Sequence, residues 1–119
     1  MSYVTGVTLI CSLMEGDEGD ERWGEDLLGE LNDWLRSHGV QGGFAELSGR
    51  YGGSKHPQCY TYAAGLNGLP VKEFVNFIRS RWWECPERVV LVMQTEQEPA
   101  SVYRPAPGVA ARPASPAPR

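Results

Sequence analysis

His56 and Cys59 stand three residues apart and form the only local pair of side chains suited to metal ligation or nucleophilic chemistry. A zinc site needs further ligands, and only His38, Cys11 and Cys85 could supply them from a distance, with no CxxC or HxxxH spacing to position them. Written as nucleophile and base, the same pair is no more than two neighbours at a strand tip. There is no GxSxG, and no pair of carboxylates on an apolar scaffold that would raise a pKa. No catalytic residue, metal ligand set or cofactor is therefore expected, and the chain reads as non-enzymatic. A second constellation joins the cations Arg50, Lys55 and His56 to Tyr60 and Tyr62, which alternate onto one face of a strand. Cations for phosphate and a tyrosine platform for a ring would suit a small anionic ligand, a nucleotide or RNA. The intervening Gly52-Gly53-Ser54-Lys55 is not GxxxxGK[ST] and joins two strands, so a flexible hairpin turn is its simpler reading. A third constellation is Lys72, Asn76, Arg79 and Trp83, at i, i+4, i+7 and i+11 of a helix and outside its apolar arc. An exposed indole beside two cations is what binding hot spots are made of, so Lys72, Arg79 and Trp83 are the expected protein-binding residues.

These residues need elements to place them. Tyr3 to Leu13 alternates and is β-branched, with Tyr3, Val7, Leu9, Cys11 and Leu13 on one face and Val4, Ile10 and Met14 on the other, so a strand with both faces buried is expected. Glu15 to Glu21 (EGDEGDE) breaks that pattern; it lacks the ligand spacing of a calcium loop and reads as a solvated helix entry with Asp20 as N-cap. Trp23, Leu27, Leu28, Leu31, Trp34, Leu35 and His38 then share one helical arc, ended by Gly39, while Asp26, Glu30 and Asp33 make an acidic stripe beside it. The stretches 43–50 and 58–66 read as a hairpin around 51–57. From Pro70, the spacing of Val71, Phe74, Val75, Ile78 and Trp82 predicts a second amphipathic helix, ended by Cys85-Pro86. Arg88 to Thr95 closes the series as a strand. The order β, α, β, β, α, β predicts an α+β ferredoxin-like sandwich, two helices on one face of a four-stranded antiparallel sheet. Its last strand would be an edge with two apolar faces, which calls for cover: self-association through the open sheet face, a dimer being the expected form, or a fold-back of the segment around Val102 and Tyr103.

Composition sets the outer bounds. At 119 residues, 41% of them hydrophobic, with a net charge of -4, the chain suits one domain, residues 1–103, followed by a Pro/Ala/Arg-rich extended tail, residues 104–119. No apolar run spans a bilayer and no basic flank precedes the apolar start, so neither a membrane partner nor a signal peptide is expected. Three cysteines at wide, odd spacing suit reduced thiols in the cytoplasm. Charge is uneven: residues 15–33 carry nine acids against Arg22, and residues 48–83 carry five bases against Glu73. The acidic total disfavours nucleic acid. In topology and in Tyr60-x-Tyr62 the chain resembles RNA-recognition modules, but its first strand lacks their partner aromatic, and Gln58 stands where they carry a basic residue.

Through Ile10-Cys11-Ser12-Leu13, through Leu31-Asn32-Asp33-Trp34-Leu35 and through W-x-x-P-E-R-V-V-L from Trp83 to Leu91, the chain resembles small uncharacterised proteins of actinobacteria and their phages over residues 3 to 105. The resemblance implies a phage-encoded or phage-related origin and carries over no activity. Together these readings predict a cytoplasmic binding protein acting on a protein partner, with the basic hairpin as the alternative site for an anionic ligand.

Overall fold

The computed structural model describes residues 4–15, 25–47, 50, 52–55 and 58–106. Its elements in chain order are β1 (Val4–Ser12), α1 (Glu25–Ser37), β2 (Ala45–Glu46), β3 (Cys59–Asn67), α2 (Val71–Ser80), β4 (Val90–Thr95) and β5 (Glu98–Tyr103), with 3-10 turns at Leu13–Glu15 and Pro86–Arg88. The strands form one antiparallel sheet in the order β2-β3-β1-β4-β5. Among the described residues the molecule is thus α+β with two helices, but its sheet has five strands where four were expected, and the five-stranded order is not that of the expected sandwich. β4 is no edge. The segment around Val102 and Tyr103 neither folds back over the sheet nor hangs free; it pairs with β4 as β5, placing Val102 opposite Val92 and Tyr103 opposite Leu91. That pairing satisfies the backbone of an apolar strand, and the new edge carries Pro99, which blunts further strand addition.

The period-two alternation of β1 sends Val7, Leu9 and Cys11 into the core, where Leu9 lies between Tyr62 of β3 and Leu91 of β4. Both helices cover this one side. Leu27, Leu31 and Leu35 of α1 and Phe74, Val75 and Ile78 of α2 join the strand residues in a single buried cluster, with Trp34 packed against it half-buried. Val71, expected in that core, is 36% exposed. The opposite side of β1, buried throughout in the sequence reading, is buried only at its far end: Val4 and Gly6 are exposed, Thr8 and Ile10 are half-buried, and Ser12 is buried, as is Thr61 opposite Ile10.

The helix ends follow local chemistry. Gly39 takes a φ of 73°, its N–H donates to the Arg36 carbonyl at 3.1 Å, and the Val40 N–H donates to the Leu35 carbonyl at 2.9 Å. This is a Schellman stop, completed by burial of Val40 beneath it. Asp20, Trp23 and most of the acidic run lie outside the described residues, as do Tyr3 and residues 107–119. The second helix ends earlier than expected: Arg81 is extended, with φ -75° and ψ 159°, so Trp82 and Trp83 lie beyond α2. β2 is likewise shorter than the stretch 43–50, though the Leu47 N–H still reaches the Thr61 carbonyl at 2.9 Å.

Candidate functional site

The early end of α2 dissolves the expected protein-binding stripe. Trp83 is 0% exposed and presents no surface to a partner. Its indole N–H donates to the Ile78 carbonyl at 2.8 Å, satisfying one of the carbonyls that a helix end leaves unpaired. The Arg81 guanidinium covers the ring at 4.3 Å from its centroid and makes two hydrogen bonds to the Glu30 carboxylate, at 2.7 and 2.8 Å. Burying the indole takes a large apolar surface out of water. Arg79 is half-buried, and its Nε donates to the Arg104 carbonyl at 2.9 Å, while the Ala106 N–H donates to the Arg79 carbonyl at 3.0 Å. Lys72 alone of the three stands exposed, at a depression of about 230 Å³ that it shares with Val71, Val75, Asn76 and Tyr103. The acidic stripe is also divided, because Glu30 is held by Arg81 and Asp33 pairs with Arg36. Glu15, from the acidic run, accepts the backbone N–H groups of Glu84 and Cys85 at 2.9 and 2.8 Å, tying the end of β1 to the chain after α2.

The basic hairpin loses its platform. Strand register puts Tyr62 opposite Leu9 and Tyr60 opposite Cys11, so both rings lie on the helix-covered side of the sheet, where Tyr62 is fully buried. Burial, with the Glu46 carboxylate adding to it, pushes the phenol of Tyr60 up from its ordinary range; burial likewise raises Tyr62, far more strongly. Their rings sit 6.1 Å apart and tilted, as packed neighbours rather than stacking surfaces. Arg50 and Lys55 are exposed, and His56 lies outside the described residues. All three cysteines are free; Cys11 is buried, and its thiol is pushed well above its ordinary value by burial and by Glu15 nearby. His38, the distant ligand candidate, stacks on Trp34 at 3.8 Å between centroids, with Nδ1 2.9 Å from the Trp34 carbonyl oxygen. Among the described residues no group of three or more His, Cys, Asp or Glu could hold a metal, and no helix is long and apolar enough to cross a membrane.

What the strands do assemble is the side away from the helices. Thr8 of β1 is flanked by Ala63 of β3 and Val92 of β4; one step along, Gly6 lies between Gly65 and Gln94, and Val102 of β5 extends the row from Val92. β1, β3 and β4 contain no charged residue at all. Val4 is 50% and Val102 60% exposed; with Val71 they are the large hydrophobic side chains most open to water among the described residues. Between them lies a shallow depression of about 400 Å³ over Gly6, Thr8, Ala63, Gly65, Val92 and Gln94. Neither Gly6 nor Gly65 adopts a positive φ, and a Cβ would meet its nearest neighbour at 3.6 Å on Gly6 and 3.8 Å on Gly65. The backbone therefore does not require glycine at either position. The sequence signal was legible: glycine interrupts each of two strand-like runs, at 6 and at 65, on the polar-or-small side of the alternation. What could not be read was that register sets the two glycines opposite each other.

No protein-family model, curated protein or solved structure matches this chain.

Proposed function

We propose that the chain is a small, cytoplasmic, non-enzymatic binding protein that acts by contact with protein through the uncovered face of its sheet. The observation that carries this reading is the character of that face: free of charge across β1, β3 and β4, with Val4 and Val102 exposed around a depression floored by glycine. Uncharged, partly apolar surface of this extent is what protein contacts cover. The architecture belongs to the same proposal: a ferredoxin-like core of β1 to β4 and two helices, extended by β5. So does the phage-related origin, which rests on the segments ICSL, LNDWL and Trp83 to Leu91 alone.

The test compares protein recovered from the native host by tagged wild type, by Thr8→Arg, which places a charge in the centre of the face, and by Lys72→Glu on α2. Loss of the partner with Thr8→Arg by about thirtyfold, as for a hot-spot residue, and retention with Lys72→Glu are expected. The reverse pattern overturns the reading in favour of the α2 surface. A melting screen against nucleotides is expected to give no shift; a ligand at 100 times its Kd stabilises by about 2.7 kcal/mol, and such a shift would move the site to Arg50 and Lys55.

A further inference from the structure

We infer that the occupant of the uncovered face is a second copy of the chain, packed sheet against sheet about a twofold axis. The inference rests on the proposed use of that face and adds its partner. Around a twofold axis identical patches meet, so the patch must complement itself and must not set a charge against its own copy. This face meets the first condition, and meets the second across β1, β3 and β4, Glu98 of β5 being the one charged residue of the four strands. It carries its knobs, the exposed Val4 and Val102, beside its own hole, the depression over Gly6 and Gly65. It also offers no charge from β1, β3 or β4, in a chain whose net charge is -4. Glycines that the backbone does not require, set opposite each other in mid-strand, mark a place where another surface comes close.

The area sets the strength. Four strands at about 4.8 Å spacing, open over about six residues on average at about 3.3 Å each, give roughly 380 Å² per copy and about 760 Å² in all, the size of a weak, reversible contact. Facing sheets pack about 10 Å apart with interdigitating side chains, which leaves the helices of both copies on the outside. The chain's own end does not compete within the described residues. After β5 it turns to α2, where the Arg104 carbonyl accepts from Arg79 and the Ala106 N–H donates to the Arg79 carbonyl.

Sedimentation equilibrium of the full chain over about 10 μM to 1 mM tests this. Wild type is expected to pass from monomer to dimer, and Lys72→Glu to follow it. Val102→Lys and Gly65→Val are expected to weaken the dimer at least tenfold; the first alters a side chain already 60% exposed and the second places its Cβ in ordinary contact with Val4, and circular dichroism checks that each variant folds. A wild-type monomer at the highest concentration overturns the inference, and so does a dimer that both face variants leave intact. If wild type is monomeric while Thr8→Arg still loses the host partner, this inference fails and the proposed function stands; if Thr8→Arg and Val102→Lys change neither mass nor partner, both fail.

Discussion

The two faces of one sheet are built from alternate residues of the same strands, yet they obey opposite rules. On the helix side Leu9, Tyr62 and Leu91 lie in one row with no exposure at all, under Leu31, Phe74 and Ile78. On the other side the neighbouring row is Ala63, Thr8, Val92 and Val102, small or β-branched, the first three half-buried and Val102 of β5 exposed. The lesson is that stability is concentrated in the covered face, where volume and polar satisfaction both matter. The uncovered face is free to be shaped for contact, because little of the fold depends on it.

The largest expected effect lies in the covered core, at Trp83. Trp83→Ala removes a fully buried indole and leaves the Ile78 carbonyl without its donor, so a loss of about 3 to 5 kcal/mol is expected in urea unfolding. A loss under about 1 kcal/mol would restore the exposed stripe. Next comes alkaline pH. The raised Cys11 and Tyr62 groups hold their protons more tightly folded than unfolded, so their contribution is whole below their ordinary values of 9.0 and 10.0 and is lost as pH climbs through the higher folded values. The urea midpoint should accordingly decline from about pH 9 upward, and Tyr62→Phe should flatten that decline. A midpoint independent of alkaline pH would place the phenol and thiol in water.

A smaller effect is expected where α1 meets the entry to β2. Asn32 Oδ1 accepts the Phe44 N–H at 2.7 Å, and Gly43 lies so near that a Cβ would stand 3.0 Å from the same oxygen. Asn32→Ala orphans that partly buried N–H and should cost about 1 to 3 kcal/mol by thermal or chemical melting, with α1 itself intact by circular dichroism. The smallest effect has the opposite sign. Gly65→Ala adds a Cβ 3.8 Å from Val4 and takes freedom from the unfolded chain, so the monomer should gain about 0.5 to 1 kcal/mol, measured in dilute solution where association does not contribute. A loss of more than about 1 kcal/mol there would mean that the uncovered face is as tightly filled as the covered one.

Much of the fold was written locally. The arc of Leu27, Leu31 and Leu35, the stop at Gly39, the start of α2 beside Pro70 and the alternation of Val7, Leu9 and Cys11 are consequences of helix and strand periods and of glycine and proline backbones, and they hold in the structure. Tertiary structure decided the rest, because each remaining question was a choice between environments that the same residue types accept equally. Extending the helical period through Arg81 would have exposed Trp83; the chain instead turns at Arg81 and buries the indole under its guanidinium. Tyr60-x-Tyr62 fits either side of a sheet, and only register with Leu9 and Cys11 sends the rings toward the helices. Val102 and Tyr103 are too short and polar in context to announce a strand, and the unpaired edge of β4 makes them one. Gly6 and Gly65 lie 59 positions apart in sequence, and pairing between β1 and β3 brings them face to face beneath one depression.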